Sequence, residues 1–430
     1  MRRFYVQNFG CRASQADGAG LEAALLDRGL CAATEPAAAD VVVLNTCTVT
    51  AAADEDARRA IRRVKRENPA ANILITGCYA QRAPREIAEL PGVTWVVGNS
   101  NKHEIPDILS ESAVAYHGQI RVDDIFGQHE FFSAPVEDAA GDRTRPNLKI
   151  QDGCNNRCSF CIIPFVRGRS RSAPAEQVIA QVRQLATRYR EVVLSGINLG
   201  RWGREPGSTL RLAGLIRRLM EETPVERLRL SSVEPMDFSD ELLSLMAESP
   251  RIAKHVHAPL QSGSDRVLRR MHRKYRPGHY EDRVAKARAW MTDAAIGADV
   301  MVGFPGETEE EFEESRQFIE SLPFTYLHVF TYSERPGTPA AECPDQVPIA
   351  VRKERNRILR ELGARKNLEF RRSMIGRKIS AVTLHEGALS DNFLRIDLAT
   401  PREANQLIDV RIGSITAGGL REDTPFRVLV

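Results

Sequence analysis

The sequence predicts an α/β protein in three parts: an N-terminal parallel α/β domain, a central partial (β/α)6 barrel and a small C-terminal all-β barrel. Three observations predict it. Short apolar, β-branched runs alternate with helical stretches over residues 1 to 110, and again in six rounds after Asn147, as in parallel strands joined by crossover helices. After residue 375 long helices stop, and short strands punctuated by Gly376, Gly387, Gly413, Gly418 and Gly419 follow, which suits a small barrel. A chain of 430 residues is long enough for two or three domains, each with its own core. The expected boundaries are 1–112, a linker 113–143, then 144–372 and 373–430.

Composition narrows the class. Hydrophobic content of 42% and charged content of 27% are ordinary for a globular domain. No apolar run reaches eighteen residues and no signal-peptide pattern follows Met1, so the expectation is a cytoplasmic protein with no membrane partner. Eight cysteines in such a chain argue for metal rather than disulfides. A net charge of only +3 means that any nucleic-acid surface must come from local patches.

In the first domain the expected strands are Phe4–Asn8, Val41–Asn45, Ile73–Thr76 and Val93–Val97, with helices at Ala19–Arg28, Ala53–Glu67 and Pro84–Leu90. Cys11, Cys47 and Cys78 sit just past the first three strands. Sites gather at the carboxyl ends of an open parallel sheet, so thiols distant in sequence can converge there. Each alone would read as a buried small hydrophobe. Polar, Gly and Pro residues between 110 and 146 read as a connection, with Ser133–Pro146 an exposed linker.

The central strands are expected at Leu148–Gln151, Glu191–Ser195, Arg227–Ser232, His255–Pro259, Gly297–Val302 and Tyr326–Phe330. The helices between and after them are expected at Pro174–Tyr189, Leu210–Glu222, Asp240–Glu248, Gly278–Ala294 and Glu309–Leu322. The first strand leads into Cys154-Asn-Asn-Arg-Cys158-Ser-Phe-Cys161, where a partial barrel carries its chemistry. Three thiols in eight residues can be aimed at one point, and three soft ligands suit zinc or an iron–sulfur cube. Zinc would ordinarily take a fourth protein ligand, and no Cys or His follows within ninety residues. A cube held by three thiolates keeps one iron open for a small molecule. Ser195, Gly196, Asn198, Glu234 and Gln261 stand at the carboxyl ends of later strands. Glycine lets backbone approach a ligand, and the polar side chains can take hydroxyls and an amine, although turn and cap chemistry competes as an explanation. His255 and His257 alternate on a strand and read as packing or hydrogen-bonding residues more readily than as metal ligands. Arg167, Arg169 and Arg171, if extended, would share one side and could meet phosphates or acidic partners.

A basic helix is expected from Ala350 to about Arg372. From Arg352 to Lys378, eleven Lys and Arg stand against three Glu, which suits either a solvated face or contact with a nucleic-acid backbone. The last domain reads as five short strands: Lys378–Leu384, Phe393–Asp397, Leu407–Ile412, Ser414–Thr416 and Phe426–Val430. Phe393 is its best candidate for base stacking. Cys31 and Cys343 fit neither trio and read as structural.

The CxxxCxxC loop resembles that of the radical S-adenosylmethionine (SAM) enzymes. The whole resembles the radical-SAM methylthiotransferases, through Asn-Thr-Cys-Thr-Val-Thr at 45–50, Thr-Gly-Cys-Tyr-Ala-Gln at 76–81, Ile-Gln-Asp-Gly-Cys at 150–154, Cys-Ile-Ile-Pro at 161–164 and Arg-Gly-Arg-Ser-Arg-Ser at 167–172. The segment after Cys11, Arg-Ala-Ser-Gln-Ala-Asp-Gly, departs from the commoner Lys-Val-Asn-Gln. The resemblance implies two [4Fe–4S] clusters, one on Cys154, Cys158 and Cys161 and an auxiliary one on Cys11, Cys47 and Cys78. It implies SAM bound near Ser195, Gly196, Asn198, Glu234 and Gln261, and a C-terminal TRAM domain that engages RNA. The activity it implies is methylthiolation at carbon 2 of N6-threonylcarbamoyladenosine at tRNA position 37, with the anticodon arm, a low-potential electron donor and a sulfur donor as partners. Relatives act on isopentenyladenosine in tRNA or on a ribosomal-protein aspartate. A cluster protein without catalysis, serving in redox or RNA binding, is the reading from another class.

Overall fold

The computed structural model describes residues 2–111, 117–128, 131 and 144–423. The first unit is a six-stranded, wholly parallel sheet in the order β2-β1-β3-β4-β5-β6. Its strands are β1 (Arg3–Asn8), β2 (Cys31–Ala32), β3 (Val41–Thr46), β4 (Asn72–Gly77), β5 (Val93–Val97) and β6 (Gln119–Arg121). Helices α1 (Arg12–Asp27), α2 (Ala51–Glu67), α3 (Cys78–Arg82), α4 (Pro84–Ala88) and α5 (Ile105–Glu111) join and cover it. Strand β3 is buried along its whole length, so its alternate residues feed two cores. Val42 and Leu44 meet Ala57, Ile61 and Val64 of α2, while Val41 and Val43 meet Leu21 and Leu25 of α1. Two strands went unpredicted because two or three residues carry no period. Helix α1 starts seven residues before the expected Ala19. Its first turns bury Ser14 and Asp17, polar residues that hide an inward face from a hydrophobic reading.

The second unit holds six parallel strands: β7 (Asn147–Asp152), β9 (Glu191–Gly196), β10 (Arg227–Leu230), β11 (His255–His257), β12 (Ala295–Val302) and β13 (Tyr326–Thr331). The short β8 (Arg171–Ser172) runs antiparallel on the edge of β7. Ladders run β10-β9-β7-β8 and β11-β12-β13, joined by a single bridge at Leu228 and Ile252. The sheet therefore curves into a partial barrel, with β8 and β13 as its free edges. Helices α6 (Ile163–Arg167), α7 (Ala175–Ala186), α8 (Leu212–Glu222), α9 (Asp240–Glu248), α10 (Asp265–Arg270), α11 (Pro277–Trp290) and α12 (Glu309–Ser321) follow the strands. Thr308 and Glu311 close a reciprocal capping box at the start of α12.

Helix α13 (Ile349–Ser373) leads to a closed barrel of β14 (Lys378–Thr383), β15 (Ala388–Ser390), β16 (Arg395–Asp397), β17 (Leu407–Ile415) and β18 (Leu420–Glu422), ordered β14-β15-β16-β18-β17. Five strands were expected, but not these five. One bulged strand, β17, replaces the two split at Gly413, and β15 and β18 are three residues long. The expected strand Phe426–Val430 lies outside the described residues, as does most of the linker 113–143.

Candidate metal centres

The first trio stands at the carboxyl ends of three adjacent strands. Cys11 precedes α1, Cys47 follows β3 and Cys78 opens α3 directly after β4. Two glycines bring the backbone close. Gly10 has φ +89°, and a Cβ there would lie 2.8 Å from Cys47 Sγ; Gly77 has φ +94°, and a Cβ there would lie 2.3 Å from Thr46 O. Cys47 and Cys78 are buried and Cys11 is exposed, and none of the eight cysteines is in a disulfide. Burial, then the neighbouring Cys78, pushes the Cys47 thiol up to about 12. Cys78 Sγ accepts from Arg167 Nε at 3.3 Å and Asn99 Nδ2 at 3.6 Å.

Gly153 (φ +69°) turns the second trio's loop, where a Cβ would meet Arg169 O at 2.0 Å. Cys154 N then donates to Gly168 O and Cys161 N to Cys158 O. Cys154 Sγ accepts from Asn156 N at 3.4 Å and Asn198 Nδ2 at 3.7 Å, and Cys158 Sγ accepts from Arg273 Nη1 at 3.2 Å. Burial, then Cys158, pushes the Cys161 thiol up to about 12. The two trios are neighbours: Ile162 and Val166, on the chain leaving Cys161, pack against Cys78.

A buried charge cluster lies beside Cys78 at the seam of the two units. Arg167 bonds Asp17 at 3.0 Å and Asp152 at 2.9 Å, Lys102 bonds Asp17 at 3.0 Å, and Lys149 reaches both carboxylates. Burial pushes the Asp17 carboxyl up, but Lys102, Lys149 and Arg167 outweigh it and hold it well below the usual range. Arg167 corrects the sequence expectation. The segment is not extended, because Gly168 at φ +73° turns it; Arg167 and Arg171 point inward and only Arg169 is exposed. The excess of cations beside Cys78 suits thiolates, which need compensating charge.

Of the polar residues expected at strand ends, Asn198 touches Cys154, and Glu234 pairs with Arg273 at 2.5 Å, the residue bonded to Cys158. Ser195 and Gly196 end β9 nearby. Ser195 Oγ and Asn198 Oδ1 are buried and make no hydrogen bond, so this strand end offers polar atoms to a ligand. A cleft of about 440 Å³ opens here, lined by Asn155, Asn156, Ser170, Asn198, Arg201 and Lys274 among others. Gln261 stands apart, bridged to Val300 with φ +66°. Arg273 and Asn99 escaped the sequence reading; neither sits in a distinctive motif. Phe393 is not a free stacking platform, since its ring lies 4.3 Å from His255 and beneath Arg229. Most of α13's charges are engaged: Arg355 pairs with Glu307, Arg357 with Glu354 and Arg365 with Glu320. Lys353, Arg360 and Arg372 are exposed and make no ion pair among the described residues. Cys343 is exposed, and Cys31 opens β2.

Residues 148–319 match the radical SAM superfamily, and residues 3–98 match an uncharacterised protein family, UPF0004. The structure is similar to the radical SAM methyltransferase TsrM of Kitasatospora setae, with a TM-score of 0.56, 17% identity and coverage of 79% of this chain and 77% of that one, a likeness of fold. The threonylcarbamoyladenosine tRNA methylthiotransferase MtaB of Bacillus subtilis is 44% identical over 74% of this chain and 70% of its own. A tRNA-2-methylthio-N(6)-dimethylallyladenosine synthase of Thermobifida fusca is 37% identical over 91% of this chain and 80% of its own. MtaB of Aquifex aeolicus is 38% identical over 94% of this chain and 99% of its own. Likeness of this extent, nearly end to end, shows that the chain belongs to the radical SAM methylthiotransferase family.

Proposed function

We propose that this protein adds a methylthio group to carbon 2 of N6-threonylcarbamoyladenosine at position 37 of tRNA. The reading is carried by two neighbouring three-thiol sites in a chain alike over 94% of its length to a threonylcarbamoyladenosine tRNA methylthiotransferase. Cys154, Cys158 and Cys161 would hold one [4Fe–4S] cluster, and Cys11, Cys47 and Cys78 a second. When bound, the clusters and SAM supply reductive radical chemistry at an unactivated C–H bond and a methylated sulfur, which no acid, base or polar nucleophile of this chain can supply.

The chain's own part is to hold, orient and exclude water. Arg273 and Arg167 donate to one sulfur in each trio, and such donors raise a cluster's potential. Ser195, Gly196, Asn198 and Glu234 border the place for SAM; Gln261 joins them by strand position alone. Ile162 and Val166 keep water from Cys78. Lys353, Arg360 and Arg372, with the C-terminal barrel acting as a TRAM domain, meet the phosphates of the anticodon arm. The target base leaves its stack at a cost of a few kcal/mol. A low-potential electron donor and a sulfur donor complete the partners. The working units are 1–112, 144–372 and 373–430. No helix among the described residues is long and apolar enough to cross a membrane, in keeping with work in the cytoplasm.

The test is nucleoside mass spectrometry after reaction of the holoenzyme with SAM, a low-potential reductant and tRNA bearing threonylcarbamoyladenosine. The expected products are the 2-methylthio nucleoside and 5′-deoxyadenosine. Ala at Cys11, Cys47 and Cys78 should abolish the first and spare the second; Ala at Cys154, Cys158 and Cys161 should abolish both. Product only on tRNA bearing isopentenyladenosine would reassign the substrate. SAM cleavage with no methylthio product on any tRNA would overturn the reading.

A further inference from the structure

A cluster of three side chains on the inner wall of the central barrel belongs to neither trio. His257 ends β11, Asp299 lies within β12 and His328 within β13. The strands are adjacent and parallel, with Asp299 directly paired to His328 and His257 to Gly297. Along β12, Ile296, Ala298, Val300 and Val302 enter the core under the helices, so alternation turns Asp299 to the opposite face, toward the lumen. Asp299 Oδ1 lies 3.3 Å from His257 Nε2 and 3.2 Å from His328 Nδ1, and the three atoms all fall within 4.8 Å of one another.

The orientation of His257 is fixed from outside the cluster. Its far nitrogen, Nδ1, is 2.6 Å from Ser232 Oγ, and its ring lies 10° from parallel with that of Tyr326, 5.8 Å between centroids. This leaves Nε2 directed into the cluster. That atom is buried and makes no hydrogen bond, although a carboxylate oxygen stands within hydrogen-bonding distance. A buried nitrogen without a partner is destabilising unless something binds it. His255, two residues earlier, differs, with Nε2 2.6 Å from Tyr326 OH. Ligands about 2.0–2.1 Å from a tetrahedral ion are about 3.3 Å apart, the spacing Asp299 keeps to both imidazoles. A hydroxyl on the far ring nitrogen is the outer support that metal-bound histidines carry.

We propose that His257 Nε2, Asp299 Oδ1 and His328 Nδ1 form a site for a divalent transition ion, distinct from both cysteine trios. The nitrogen and oxygen donors suit zinc or ferrous iron. The His328 side chain is 51% exposed and that of Asp299 25%, so the remaining coordination position opens to the lumen, for water or another oxygen donor. The ion ties three successive strands together beside the free edge of the barrel.

Zinc binds such donors more tightly than ferrous iron, so it is the probe for either ion. Holoenzyme with its clusters loaded, so that the trio thiols are occupied, is dialysed anaerobically against micromolar zinc, and metals are counted by mass spectrometry. The wild type should retain one zinc per chain beyond its iron. His328→Ala, at the half-exposed position and so the least disruptive, and Asp299→Asn should each lose that zinc with iron unchanged. Equal zinc in wild type and His328→Ala, or no retained zinc in the wild type, would overturn the site.

Discussion

Glu191, at the start of β9, has a side chain with no solvent exposure, held by Arg229 at 2.8 Å and Arg145 at 3.2 Å. Burial alone would raise its pKa, but Arg229 and then Arg145 and Arg227 outweigh it and lower the value to about 2. A folded-state pKa below the unfolded one gives stability that is fully present above about pH 4.5 and is lost as pH falls toward 2. The shift corresponds to about 3 kcal/mol. Glu191→Gln cannot titrate there, so the stability gap between wild type and variant should narrow by about that amount from pH 5 to 2. Urea midpoints of cluster-free protein across that range measure it, and a gap independent of pH would refute the assignment. Residue type announced little of this. A Glu opening an apolar run reads as a strand-edge residue, and only the fold brings Arg145, Arg227 and Arg229 around it. Arg167 makes the same point: its motif was visible, but its burial was not.

At the scale of the element, the junction of β3 and β4 with the thiols depends on Gly77. Thr46 pairs with Gly77 across the two strands, immediately before Cys47 and Cys78. A methyl at Gly77 would lie 2.3 Å from Thr46 O and 2.7 Å from Thr46 N, at a φ that L residues rarely adopt. Gly77→Ala should therefore splay the strand ends, remove about half the bound iron, and cost more than about 1 kcal/mol, as Gly→Ala does where φ is positive. Gly376 is the control, with φ +79° and nothing within 4 Å of an added Cβ. Gly376→Ala should lower the Tm through backbone strain alone and leave iron per chain unchanged. Equal iron in both variants would show that the close approach does not set the trio. The strands themselves were legible, because β3, β4 and β5 are continuous apolar runs. The capping and close packing at their ends were not, since glycine announces a turn without saying what it approaches.

Across the whole molecule, the basic stretch reads differently once folded. Helix α13 spends Arg355, Arg365 and Lys366 on ion pairs and carbonyls that fasten it to the barrel, and Arg357 on Glu354 within the helix, leaving Lys353, Arg360 and Arg372 exposed. Reversal of these three to Glu should weaken tRNA binding by about tenfold or more and flatten its salt dependence, because fewer counterions are released. SAM cleavage should be unchanged. Filter binding across a salt series checks this; an unaltered slope would move the RNA surface elsewhere.

Alternation of strand and helix determined the three-part plan, and the CxxxCxxC spacing and three cysteines at strand ends pointed to the two proposed thiol sites, because period and spacing are local properties of a chain. Tertiary structure alone decided that the trios are neighbours, that Arg167 meets a sulfur and buried carboxylates, that Arg273 meets a second sulfur, that Phe393 is locked against His255, and that His257, Asp299 and His328 meet. Each of these depends on which side chains face one another across strands and domains, and packing, not sequence order, sets that.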